Sequence, residues 1–121
     1  MAIDANDELT RFIRPKQKRY ITNDGEVRTA AFSTGRDGKV SVFVTSNMIL
    51  NDIWSHGDLH FPHEIIGRAY LQAQVVFDEG LNIDFNNIPP KHADIIGFPD
   101  DKALNLAKRQ ALVKKATFDK R

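Results

Sequence analysis

The chain has 121 residues, which is the usual size of one domain and too short for two ordinary ones. Its 41% hydrophobic and 27% charged residues suffice for a buried core under a solvated surface, which argues against wholesale disorder. The absence of cysteine excludes disulfides and thiolate metal ligands, and no apolar run approaches the roughly 18 residues of a membrane helix. We therefore expect a cytoplasmic protein with one core and no membrane contact.

The first half of the chain predicts a meander of strands. Residues 1–10, MAIDANDELT, are acidic, and we expect a flexible acidic N-terminus there rather than a secretory signal. Three antiparallel strands are then predicted, at residues 17–22, 27–33 and 39–45. The segments Asn23-Asp24-Gly25 and 35–38 between them contain the Asp-Gly pair that favours tight turns.

A helix is predicted after the third strand. Apolar residues at positions 49, 50, 53 and 54 repeat at helical spacing, and Ser46 stands where an N-cap residue is favoured. The pattern predicts a helix over residues 46–56 that ends near Gly57. Since Pro62 cannot continue a regular helix, the histidine-rich stretch around it is predicted to be a loop.

The second half of the chain predicts shorter elements and one clear helix. Strands are expected at residues 65–69, 81–85 and 93–97, and a short helix at 71–79. Residues 103–115 contain strong helix formers without Gly or Pro, and Asp100 or Asp101 can cap their N-terminal end. We expect this last helix to pack on the sheet.

These elements predict a single α+β domain over residues 1–121, with a mainly antiparallel sheet packed by two or three helices. The helices at 46–56 and 101–115 are expected to cover one face of that sheet. The predicted core consists of apolar residues on the inner faces of the elements, namely Val40, Val42, Val44, Ile49, Ile53, Ile95, Leu106 and Val113.

Residues 54–64, WSHGDLHFPHE, contain three of the four histidines of the chain. Zinc favours neutral imidazole and carboxylate ligands, and this segment offers such groups in His56, Asp58, His60 and His63. Against a metal site, Gly57 and Pro62 should prevent the shared helical face that HExxH spacing requires. We therefore predict a structural or surface loop without metal or cofactor, while a metal site and proton transfer stay as alternatives.

His92 is the second candidate for proton transfer, beside His63. Asp94 lies two residues further, on the same face of the predicted strand. A neighbouring carboxylate orients an imidazole and stabilises its protonated form, which prepares a general base. The alternative is an ordinary histidine at a strand edge, bonded to a neighbour or to water.

Two basic segments are present although the net charge is only +1. Residues 11–20, RFIRPKQKRY, contain five cations and no acid, and residues 102–121 contain seven Lys or Arg against Asp119. Cations pair with phosphates and aromatic rings stack on bases. The predicted binding residues are Arg11, Arg14, Lys16, Lys18, Arg19, Tyr20, Lys108, Arg109 and Lys115. The alternative is that the charged residues of the first segment prevent unwanted pairing at a strand edge. The two segments form one binding surface only if they lie side by side.

The sequence thus predicts a small binding or accessory domain that acts through a protein or nucleic-acid partner. The second hypothesis is a histidine-dependent hydrolase or transferase acting on a phosphate-bearing substrate, in which Arg11 or Arg14 holds the phosphate. Neither GxxxxGK[ST] nor GxGxxG occurs, which excludes nucleotide hydrolysis by a P-loop.

Overall fold

The computed structural model describes residues 3–62 and 64–121, and within them the chain forms one antiparallel sheet of six strands. The strands are β1 (Glu8–Ile13), β2 (Val40–Val44), β3 (Gly67–Gln72), β4 (Asn82–Asp84), β5 (His92–Ile96) and β6 (Thr117–Lys120). Their order across the sheet is β4-β5-β2-β1-β3-β6, and every neighbouring pair is antiparallel. The predicted single α+β domain with an antiparallel sheet is therefore confirmed.

Three α-helices pack on this sheet in the described part of the chain. They are α1 (Leu50–His60), α2 (Ala73–Asp78) and α3 (Lys102–Lys115). The Asp101 side chain accepts a hydrogen bond from the backbone N–H of Leu104 at 2.9 Å, so α3 has the predicted N-cap. Two short 3-10 helices, Pro15–Tyr20 and Thr29–Phe32, precede β2.

Both faces of the sheet are covered, because adjacent residues of the central strands are buried on opposite sides. On β2, Val42 lies in the larger hydrophobic cluster and Phe43 in a smaller one. The larger cluster contains Leu112 of α3, and the smaller one contains Ile53 of α1. Since α1 and α3 lie on opposite faces, the predicted arrangement with both helices on one face is wrong.

The predicted strands at 17–22 and 27–33 are also wrong, because both segments are mainly 3-10 helices. Pro15 is preset for the first turn of a helix, and Phe32 is fully buried against the larger cluster. The turns between these elements are nevertheless correct. Gly25 and Gly38 have φ of 82° and 75°, as the Asp-Gly pairs indicate, and an isolated bridge joins Ile21 to Val27.

Residues 8–10, expected within a flexible terminus, belong to β1 near the centre of the sheet. Leu9 is only 1% exposed, and Thr10 is fully buried, where its hydroxyl bonds that of Thr45 at 2.8 Å. Glu8 is held by Arg68 at 2.8 Å. The acidic composition of residues 1–10 therefore gave no indication of this strand. In the fold its apolar side chain Leu9 is buried, and its polar side chains Glu8 and Thr10 have hydrogen-bond partners.

Helix α1 begins and ends later than predicted. It starts at Leu50 and continues through Gly57 to His60. Gly57 lies inside the helix and allows α1 to pack closely on β1. A Cβ at this position would lie 2.8 Å from the ring of Phe12. Ser46, the predicted N-cap, instead donates to Asp7 at 2.6 Å and accepts from the backbone of Glu8.

Five of the predicted core residues are buried, namely Val40, Val42, Val44, Ile53 and Ile95. Val113 is partly buried against the larger cluster. Ile49 and Leu106 are 66% and 40% exposed, so their predicted burial is wrong. Ile49 precedes α1, and α3 turns Leu112 inward rather than Leu106. The buried side of α3 thus carries polar residues next to Leu112, which hydrophobicity alone does not indicate.

Candidate functional site

A basic groove of about 520 Å³ lies between the first 3-10 helix and β6. Its lining consists of Lys18, Arg19, Ile21, Thr22, Asn23, Arg28, Ile66, Phe118 and Lys120. Four of these residues are cations and none is an acid. The basic groove therefore combines a positive rim with partly apolar walls.

The local fold explains why the basic groove contains no carboxylate. Strand residues alternate between faces, so Phe118 and Lys120 of β6 point into the groove while Asp119 points to the other face. There Asp119 accepts from Nε of the buried Arg68 at 3.0 Å. Lys18 and Arg19 are exposed on the first 3-10 helix. Charge segregation across β6 thus leaves the groove uniformly positive.

Phe118 is the aromatic side chain of the groove, and Gly67 of β3 makes room for it. A Cβ at Gly67 would lie 2.6 Å from the Phe118 ring, so any larger residue at this position would displace the ring. Ile21 and Ile66 flank the same cavity and are half-buried. The Phe118 ring therefore packs closely on Gly67 of β3 and borders the groove.

The other predicted residues of the first basic segment serve the fold. Arg11 donates from Nε to the carbonyl of Ala31 at 2.6 Å and from Nη1 to that of Ser41 at 2.8 Å. Burial lowers the pKa of Arg11, although the nearby Tyr20 opposes that effect. Arg14 stacks on the Phe61 ring at 4.9 Å.

Two further residues of this segment differ in their surroundings. Tyr20 packs against the larger hydrophobic cluster and lies under the guanidinium of Arg19 at 5.1 Å. Lys16 is exposed but does not line the groove. Of the first predicted basic segment, the basic groove therefore includes Lys18 and Arg19.

The predicted cations of α3 line other parts of the surface. Lys108 donates to the carbonyl of Glu79 at 2.5 Å, and Arg109 donates to Asn105 within the helix. Lys115 lines a separate cavity of about 690 Å³ whose walls include Asp7 and Glu8. The cations of α3 thus do not combine with the first basic segment, although Lys120 at the end of the second segment lines the basic groove. A binding role for these three residues of α3 stays a prediction.

The histidine cluster, defined as His56 and His60 of α1 with His92 of β5, surrounds Phe43 of β2. The three imidazole centroids lie 5.2, 4.9 and 5.5 Å from the centroid of the Phe43 ring. His63, the other predicted catalytic residue, lies outside the described residues. The fold therefore brings two histidines of α1 and one distant histidine of β5 to one aromatic side chain, on the face of the sheet that α1 covers.

His92 is oriented by a polar chain. Its Nδ1 lies 2.7 Å from the amide oxygen of Asn86, which only accepts, so Nδ1 carries the proton. The amide nitrogen of Asn86 donates to Asp94 at 3.0 Å. His92 Nε2 lies 3.8 Å from the same carboxylate. The predicted neighbour Asp94 is thus present, but its main link to the imidazole runs through Asn86.

His56 and His60 face each other one helical turn apart, with ring centroids separated by 4.9 Å. Their Nε2 atoms are buried and lack a hydrogen-bond partner among the described residues. Burial lowers the pKa of His56, with smaller contributions from His60 and Lys91, and the nearby backbone of Pro90 opposes them. His56 is therefore favoured in its neutral form.

The described residues contain no group of three or more His, Cys, Asp or Glu side chains placed to hold a metal ion. Asp58, a possible ligand by sequence, forms a bidentate pair with Arg121 at 2.6 and 2.7 Å. Within the same residues no helix has the length and apolar character required to span a membrane.

Sequence reasoning missed Arg28, Phe118 and Lys120, which complete the basic groove. The alternation of residues 117–120, TFDK, is a signal for a strand with one acidic and one basic side, but it is only four residues long. It also missed that His56 and His60 share a helical face, although their spacing of four residues indicates it once Gly57 is accepted within the helix.

Comparisons with protein-family models, with curated proteins and with solved structures gave no match for this chain. Functional inference therefore depends on the geometry of the two sites.

Proposed function

We propose that this protein is a nucleic-acid-binding domain that takes a single strand in the basic groove. The observation that carries the proposal is the set of four cations around Phe118 without any carboxylate in the lining. The whole chain has a net charge of only +1, but the electrostatic potential in the basic groove is positive. The nearby carboxylate of Asp119 does not neutralise it, because Asp119 points to the other face of the sheet.

Single strands fit this chemistry better than duplexes do. Backbone phosphates pair with Lys and Arg, and each base offers a face that stacks on an aromatic ring. Phe118 is the ring available in the groove, and Ile21 and Ile66 extend the apolar wall beside it. Bases in a duplex are already stacked on each other, so a partly buried ring in a groove cannot use them.

The histidine-dependent hydrolase or transferase has weaker support. Its proposed phosphate ligand Arg11 is bound to two backbone carbonyls. His92 lies on β5, four strand positions from β6, which corresponds to roughly 19 Å at about 4.8 Å per strand. A phosphate held in the basic groove would therefore lie far from that imidazole.

A cytoplasmic location agrees with this proposal, since the chain has no cysteine and so no disulfide, and disulfides are rare in reducing compartments. A protein partner with an acidic segment would meet the same positive rim, and the experiment below distinguishes it by the requirement for a ring that stacks on bases.

The test measures fluorescence anisotropy of a labelled single-stranded oligonucleotide of about ten nucleotides at low ionic strength. We expect the double substitution Lys18→Ala with Arg19→Ala to weaken binding about tenfold or more, and Phe118→Leu to weaken it with all charges retained. Lys16→Ala is the matched control, because Lys16 is exposed on the same 3-10 helix but outside the groove.

Equal losses for the Lys16 and the Lys18–Arg19 variants would contradict a site in the groove. No binding by the unmodified protein at low salt would end the nucleic-acid proposal. Binding that is insensitive to Phe118→Leu would instead indicate recognition of charge alone, as for an acidic protein segment, and would also overturn it.

A further inference from the structure

The pair His56 and His60 combines helical spacing with unsatisfied nitrogen atoms. Gly57 does not interrupt α1, so both imidazoles project from one side of the helix, with centroids 4.9 Å apart. Both Nε2 atoms are buried without a hydrogen-bond partner among the described residues. Buried polar atoms without partners are rare in proteins, and two adjacent ones leave both nitrogen atoms free to bind a shared ligand.

We propose that His56 and His60 bind one divalent transition-metal ion of the class that imidazole favours, such as Cu²⁺, Ni²⁺ or Zn²⁺. Histidines four residues apart on a helix are the pair that HExxH sites use to hold zinc. One ion coordinated by both Nε2 atoms accounts for the two unsatisfied groups at once.

The surroundings prepare these two imidazoles for coordination. Phe43 contacts both rings, at 4.9 Å in a stacked arrangement with His60 and at 5.2 Å edge-on with His56. The Phe43 ring therefore restricts how either imidazole can turn.

Two protein ligands define what kind of site this is. Structural zinc sites have four protein ligands and catalytic ones have three. The described residues supply no third histidine, cysteine or carboxylate that joins this pair in holding an ion. With two protein ligands from the described residues, we expect weaker binding than at a structural zinc site and a fold that survives chelation.

His92 provides a matched control within the same cluster. It also packs against Phe43, but its Nδ1 is bonded to Asn86 and it lies on a different element from the pair. Substituting His92 therefore perturbs the same aromatic packing without removing a proposed ligand.

The experiment titrates Cu²⁺ into chelator-treated protein near neutral pH, by calorimetry and by fluorescence of Trp54. This residue is the only tryptophan of the chain, and it lies on α1 two positions before His56. Cu²⁺ bound nearby quenches its emission, whereas Cu²⁺ on the N-terminal amine leaves a binding signal independent of both histidines.

We expect one ion per chain, at least tenfold weaker binding for His56→Gln and for His60→Gln, and unchanged binding for His92→Gln. Affinity should fall as the pH is lowered through the imidazole range, because protons compete for the same nitrogen atoms. Circular dichroism in chelator verifies that each variant is folded. Wild-type affinity in both the His56 and His60 variants, or an equal loss in His92→Gln, overturns the proposal.

Discussion

Individual buried side chains give the most direct check of the two-sided core. Val42 and Ile95 are 1% and 0% exposed in the larger cluster, and truncation of either to Ala removes packed methyl groups and leaves a cavity. We expect each substitution to lower the free energy of unfolding by about 1 to 4 kcal/mol, measured by chemical denaturation.

Ile49→Ala is the matched control, since the sequence predicts Ile49 in the core whereas the structure leaves it 66% exposed. Its effect should stay within about 0.5 kcal/mol. A loss at Ile49 as large as that at Val42 would show that the start of α1 is packed differently.

Arg68 is a buried cation that pairs with two carboxylates. Arg68 is 5% exposed and pairs with Glu8 at 2.8 Å and with Asp119 at 2.9 Å, while Tyr70 covers its guanidinium at 4.0 Å. Arg68→Ala leaves two partly exposed carboxylates without their cation, although Glu8 keeps the hydrogen bond from the Thr45 hydroxyl. We expect a loss of about 2 kcal/mol in unfolding free energy, because solvent screens both acids to some extent.

Arg121→Ala tests the same reasoning at an exposed pair. Arg121 binds Asp58 in a bidentate pair at the surface, where such pairs contribute little to stability. We therefore expect the denaturation midpoint to fall less for Arg121→Ala than for Arg68→Ala. A larger fall for Arg121→Ala would refute this assignment of buried and exposed charge.

At the scale of the element, α1 depends on a glycine in its interior. A Cβ at position 57 would lie 2.8 to 3.1 Å from three atoms of the Phe12 ring. Gly57→Ala improves helix propensity by about 1 kcal/mol but forces overpacking that typically destabilises by about 1 to 3 kcal/mol. We expect net destabilisation in thermal or chemical unfolding, whereas Ser55→Ala on the exposed side of α1 should be nearly neutral. Stabilisation by Gly57→Ala would contradict close contact between α1 and β1.

The packing of α1 against β2 also predicts a dependence of stability on pH. Burial lowers the pKa of His56 in the fold, so the unfolded chain binds its proton more readily below a pH of about 6.5. Stability contributed by neutral His56 is present above that pH and is lost as the pH falls toward the lowered value. With a chelator present, we expect His56→Gln to lose less unfolding free energy than wild type between about pH 8 and pH 5.5. Equal losses in the two proteins would remove His56 as a cause.

Elements with strong local patterns are the part of the fold that sequence predicts. Alternating valines identify β2, and helix formers with a capping Asp101 identify α3. Prediction fails where tertiary contacts decide, as in β1, whose acidic start is held by Arg68, and in α1, whose glycine packs on Phe12. A short strand such as β6 has too few residues to show a period.

At the scale of the whole molecule, the two candidate sites are assembled from distant segments. The basic groove joins residues 18–28 with Ile66 and residues 118–120, and the histidine cluster joins α1 with β5 across Phe43. No local pattern reveals such a juxtaposition, because strand order and helix placement create it. Local sequence identified Lys18, Arg19 and His92 as candidates, but only the fold separates them onto opposite sides of the sheet.

The salt dependence of nucleic-acid binding tests that separation. Each phosphate neutralised on a single strand contributes about 0.7 to the slope of log affinity against log salt. Sequence alone treats Arg14 and Lys18 alike, whereas in the structure Lys18 lines the basic groove and Arg14 stacks on Phe61. We therefore expect Lys18→Ala to flatten the slope by about 0.7, while Arg14→Ala leaves it near the wild-type value. His92→Gln should change neither affinity nor slope, since it lies roughly 19 Å from β6 across the sheet. A flatter slope for Arg14→Ala than for Lys18→Ala would contradict binding in the basic groove and would indicate that the phosphates bind nearer to α1.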